Sequence, residues 1–174
     1  GYVLFPIGFF IMLAAVRAVD KDSAAFNTAA VAAGLKLVSG LLPGVDWIFV
    51  INPSLAILLE GLVVFLAVKL FSMRKPAFAF FTTFAAAISW RALFLLAILI
   101  LPLQAGILNK GTAAILQFLF LESAVNGILI GFALWLGVGS FRLARLYDRI
   151  NAPVWSILAL FVAVSVELLI VYVS

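Results

Sequence analysis

Long apolar runs separated by short polar breaks dominate the chain. Six stretches approach the roughly 20 apolar residues a helix needs to cross hydrocarbon. They cover about 2–17, 24–42, 54–71, 77–102, 112–139 and 153–173. The breaks carry turn and cap residues: Asp20-Lys21-Asp22-Ser23, Pro43-Gly44-Val45-Asp46, Asn52-Pro53-Ser54, Arg74-Lys75-Pro76, and Asp148 through Pro153. Ser23, Ser54 and Asn151 read as helix starts. Pro53 and Pro153 fall where a missing N–H costs least. The runs are continuous rather than alternating, which argues against a β-barrel. The pattern predicts an all-α fold, a polytopic transmembrane bundle of about six helices forming a single domain over 1–174.

Composition agrees. Of 174 residues, 67% are hydrophobic and 10% charged, where a soluble domain has about 45–50% and about 25%. Much of the surface is therefore expected to face lipid. With no Cys and no His, disulfides, thiol nucleophiles and zinc or haem ligation by those residues are excluded, and no metal or cofactor is expected. The net charge of +4 is not a nucleic-acid signal, because the basic residues cluster at membrane boundaries. The apolar start, without Met or a basic leader, reads as a chain beginning partway through a longer sequence.

Charge also sets orientation. Arg17 and Lys21 lie in the first connection, Lys69, Arg74 and Lys75 around the third, and Arg142, Arg145 and Arg149 in the fifth. The second connection has no basic residue and the fourth only Lys110. The odd connections are expected in the cytoplasm. The protein reads as integral to a prokaryotic cytoplasmic membrane.

Several charges fall inside predicted spans: Lys36, Arg91, Glu60, Glu122 and Glu167. Each costs several kcal/mol unless paired or hydrated. Helix rise puts Lys36 and Glu60 both roughly 9 Å below the outer boundary, and Arg91 and Glu122 both roughly 16 Å below it. Two depth-matched pairs are expected, Lys36 with Glu60 and Arg91 with Glu122. Such pairs either specify helix register or line an outward-facing cavity for a small polar ligand. On the second reading the binding residues are Lys36, Asn52, Glu60, Trp90, Arg91, Glu122 and Asn126. Asn126 follows Glu122 by one helical turn on the same face. Trp47 reads as an interfacial anchor or part of a stacking wall.

Small residues mark helix contacts. Ala25, Ala29 and Ala33 recur every four residues, and Gly127 and Gly131 form a Gly-xxx-Gly pair. They pack within the chain or dock a partner helix. The alanine run, followed by Gly34-Leu35-Lys36-Leu37-Val38, Leu42-Pro43-Gly44, Asn52-Pro53 and Glu60-Gly61, resembles the start of the substrate-binding S components of energy-coupling factor transporters. The resemblance implies a small six-helix membrane protein that captures a micronutrient from outside. It implies Ala25, Ala29 and Ala33 as the face toward a membrane coupling subunit, itself driven by two cytoplasmic ATPases. It covers only the stretch from Ala25 to Gly61. The family begins and ends in the cytoplasm, whereas here the alanine helix is the second and charge places both ends outside.

No G-x-x-x-x-G-K-[ST] run is present, so nucleotide binding would belong to partners. No Gly-x-Ser-x-Gly run or paired intramembrane aspartates suggest an enzyme. The leading expectation is a non-enzymatic ligand-binding subunit of an uptake transporter. The alternative is an assembly subunit of a larger membrane complex.

Overall fold

The computed structural model describes residues 2–43, 45–71, 76–101 and 106–136, all within the first of two compact units, residues 1–140. The expected sixth helix over 153–173, Glu167, Arg74, Lys75 and the three arginines of the fifth connection lie outside these residues. The described residues are helical, without strands.

Helix α1 runs Leu4–Val19 and presents a stripe of Phe5, Phe9, Met12, Leu13 and Val16 to the interior, the spacing of one helical face. It stops at Asp20, whose φ of 55° is left-handed, a conformation Asp tolerates better than most side chains. Helix α2 follows at Ser23–Val38 and tightens into a 3-10 turn at Ser39–Leu41, where Ser39 Oγ donates to the Lys36 carbonyl at 2.6 Å.

Helix α3 spans Ile48–Leu70 and starts six residues before the expected boundary. Asp46 explains the early start, since its Oδ1 accepts the Ile48 N–H at 3.2 Å and satisfies a donor of the first turn. Pro53 consequently lies inside the helix, and Ser54 bonds back to the Val50 carbonyl at 2.8 Å rather than starting it.

Helix α4 covers Pro76–Ile100. A short α5 at Gly106–Asn109 leads to Gly111, whose φ of 84° suits glycine. Then α6 (Thr112–Leu116), a π-helical turn (Gln117–Leu121) and α7 (Glu122–Trp135) form one continuous rod.

Four helical segments are long and apolar enough to cross a membrane: Ser23–Leu41, Ile48–Leu70, Ala79–Ile100 and Thr112–Trp135. Their outward residues are apolar, among them Val31, Phe49, Phe81, Leu99 and Ile128. That is the surface of an integral membrane protein, since water would not solvate it.

Consecutive long helices pack side by side, α2 on α3, α3 on α4 and α4 on α7, while α1 touches α2, α3 and α7. The small residues allow close approach. Gly61 of α3 abuts Ala29 of α2, and Gly131 of α7 abuts the Phe80 ring of α4. A Cβ on Gly127 would lie 3.0 Å from Cα and Cβ of Phe84. Ala25, Ala29 and Ala33 are all buried. Within the chain, Gly61 covers Ala29, Phe84 covers Gly127 and Phe80 covers Gly131.

Candidate functional site

Arg91 is wholly buried on α4. Buried Thr83 and Ala87 precede it on the same face, so small side chains leave room for a guanidinium. Long helical side chains lean toward the N-terminus, and Arg91 Nη1 accordingly donates to the Ala87 carbonyl at 3.1 Å.

The remaining partners come from the facing helix. Nη1 lies 3.4 Å from Ser123 Oγ. Nη2 pairs with Glu122 Oε2 at 3.4 Å, which brings the two charges together as their depths suggested. With its amide turned to satisfy both neighbours, Asn126 accepts from Arg91 Nη2 at 2.8 Å and donates to the Tyr2 carbonyl at 2.8 Å. Gln117 Nε2 donates to the Tyr2 hydroxyl at 3.3 Å. Thr83 Oγ1 bonds the Ala79 carbonyl at 2.8 Å and lies 3.3 Å from that of Gly127, tying α4 to α7 one turn from the cluster.

Aromatic rings close the other sides. The guanidinium carbon is 4.5 Å from the Trp90 ring centroid, 5.3 Å from Phe118 and 6.0 Å from Phe5. Trp90 packs on Phe5 at 5.7 Å and edge-on to Phe118 at 5.8 Å. Such faces attract a cation, most strongly where water is excluded.

The π-helical turn makes this enclosure possible. In an α-helix residues four apart stack, whereas the wider turn aligns residues five apart. Phe118 and Ser123 therefore share the face that meets Arg91.

Glu60 joins from α3. Its carboxylate and the Arg91 guanidinium are within electrostatic reach. Opposite it lies Gly8 of α1, where a Cβ would sit 3.9 Å from Oε2. The early start of α3 explains this placement. Counted from Ile48, Glu60 is roughly 18 Å down the helix, close to the level of Arg91 and Glu122.

The same shift offsets Lys36 and Glu60 in depth, where the sequence placed them level. The contact of Ala29 with Gly61, on antiparallel helices, sets Lys36 level with Ser54, about 9 Å along the axis from Glu60. Lys36 is half-buried near the C-terminal end of α2, and Asn52 is half-buried in the second turn of α3. Trp47 is exposed and lies against Gly40, where a Cβ would come within 2.8 Å of its ring. It braces the connection between α2 and α3 rather than lining the cluster.

Of the expected binding residues, the structure brings together Glu60, Trp90, Arg91, Glu122 and Asn126. It adds Tyr2, Phe5, Phe118 and Ser123. Ser123 had a signal, being next to an intramembrane Glu. Phe5 and Phe118 had none, since an aromatic in an apolar run looks the same whether it faces lipid or a cation. Among the described residues no group of three or more Asp or Glu gathers to hold a metal ion.

No family model, curated protein or solved structure matches the chain.

Proposed function

We propose that this membrane protein is the ligand-binding subunit of an uptake system, capturing a small polar ligand from outside at the Arg91 cluster. One observation carries the reading. A guanidinium with no exposed surface sits among side chains from α4, α7 and the start of α1, with Glu60 of α3 in electrostatic reach. A buried charge costs several kcal/mol before its partners compensate, and ionisable groups inside a membrane bundle mark substrate pathways.

The protein performs no chemistry on this reading. Energy comes from partner subunits, as the resemblance to S components implies, and a coupling subunit approaches a face other than the buried Ala25, Ala29, Ala33 ridge. The aromatic enclosure corresponds to an occluded state that opens toward the outer connections.

A second reading has its own support. Four N–H groups of Arg91 find acceptors within the chain, which is what a helix lock in an assembly subunit requires. Mass spectrometry of small molecules released from the purified chain separates the two. The uptake reading expects a non-lipid compound that is present with the native chain and depleted in Arg91→Lys. Identical compounds from both proteins would leave only the lock.

A further inference from the structure

One amide interrupts the outward face of α2. Ala25, Ala29 and Ala33 are buried on one side of this helix. On the opposite side Asn27, Val31, Gly34 and Val38 are all exposed. With 3.6 residues per turn these four lie within about 60° of one another around the axis, and they recur at the spacing of a coiled-coil seam. A Cβ on Gly34 would meet nothing within 4 Å, so a notch lies between Val31 and Val38. The span begins at Ser23, which puts Asn27 about 6 Å, one helical turn, inside it. The hydroxyl of neighbouring Thr28 returns to the Ala24 carbonyl at 2.8 Å. The Asn27 amide meets no hydrogen-bond partner among the described residues. An amide facing hydrocarbon without a partner is costly.

We propose that this face pairs with the same face of a second copy of the chain, the two Asn27 amides hydrogen-bonding to each other across a two-fold axis. Membrane topology selects that arrangement. Copies of one chain share one orientation in the membrane, so their α2 helices run parallel. A two-fold axis along the membrane normal then sets each residue opposite its own image. Asn suits such a position, because its amide carries both donors and an acceptor and so complements itself. No charged residue lies on the stripe to repel its image. Gly34 opposite Gly34 lets the two backbones approach, as small residues do at membrane helix contacts, and Val31 and Val38 pack to either side. A single polar residue in a seam of this kind fixes register and pairing. The pairing stands whether the Arg91 cluster binds a ligand or only locks helices.

Two measurements on the full chain in liposomes test this. The chain has no cysteine, so single cysteines report contacts between copies without background. Val31→Cys and Val38→Cys are expected to form disulfide-linked dimers on oxidation several times faster than Phe81→Cys and Ile128→Cys, which are exposed on other helices. Energy transfer between donor- and acceptor-labelled copies carrying Lys110→Cys then measures the strength of pairing. Transfer is expected to saturate as the protein-to-lipid ratio rises. Asn27→Leu removes the amide from an exposed site and is expected to raise the half-maximal ratio about tenfold, while Asn27→Gln keeps an amide and moves it far less. Disulfides no faster on the stripe than at the two control sites, or a half-maximal ratio unmoved by Asn27→Leu, would overturn the proposal. Lipid or a different protein would then cover the face.

Discussion

At the scale of single residues, Arg91 concentrates the energetics. Its ion pair with Glu122 is buried on the arginine side and nearly so on the other, with exposures of 0% and 15%. Removing one member strands the other. Arg91→Ala is expected to destabilise the protein by about 3–5 kcal/mol, read as a lower unfolding midpoint in lipid nanodiscs. Glu122→Gln keeps an acceptor and loses the charge, so a smaller loss of about 1–3 kcal/mol is expected. Equal losses from the two would show that the charge on Glu122, rather than its hydrogen-bonding oxygen, carries the pair. Arg91 and Glu122 were legible as a pair because helix rise converts position into depth, and a charge in an apolar run stands out. The closing phenyl rings were not legible, because Phe5 and Phe118 differ from lipid-facing aromatics only in which way they point.

At the scale of helices, glycines set the spacing and a π-helical turn sets the rotation. Gly61 against Ala29 and Gly131 against Phe80 leave no room for a side chain. Gly61→Val and Gly131→Leu should each cost about 1–3 kcal/mol through overpacking, and Gly34→Ala, with nothing within reach of its Cβ, should cost almost nothing. The contrast is measured by thermal unfolding of the three variants side by side. Deleting exposed Phe120 would convert the π-helical turn to a regular one and rotate Phe118 away from the face shared by Ser123 and Glu122. The expected result is loss of Arg91-dependent ligand with the helix content retained by circular dichroism. Helix existence could be read from apolar run length, but boundaries could not. Asn52-Pro53-Ser54 looks like a start, yet the helix begins at Ile48, whose N–H bonds Asp46 Oδ1. That one shift moved Glu60 to the depth of Arg91 and separated it from the level of Lys36.

At the scale of the whole molecule, orientation rests on the distribution of Lys and Arg. The chain has no cysteine, so single cysteines report topology without background. Asp46→Cys and Lys110→Cys should react with a membrane-impermeant maleimide on intact cells, and Lys21→Cys only after permeabilisation. The reverse pattern would invert the orientation. Membrane character and helical class were legible because composition leaves no aqueous alternative. Which neighbour the alanine ridge meets was not, since Ala25, Ala29 and Ala33 fit a partner or the chain itself; in the structure Ala29 lies against Gly61.

The most direct test separates stability from binding in one protein. Arg91→Met, Glu122→Leu and Glu60→Gln together replace the charged cluster with groups of similar volume, a change a pure helix lock tolerates or gains from. Unfolding midpoint and released small molecules are then measured on the same nanodisc preparation. A binding centre predicts a folded protein of near-native midpoint that has lost its bound compound. The same compound, retained at native stoichiometry by the triply substituted chain, would contradict it.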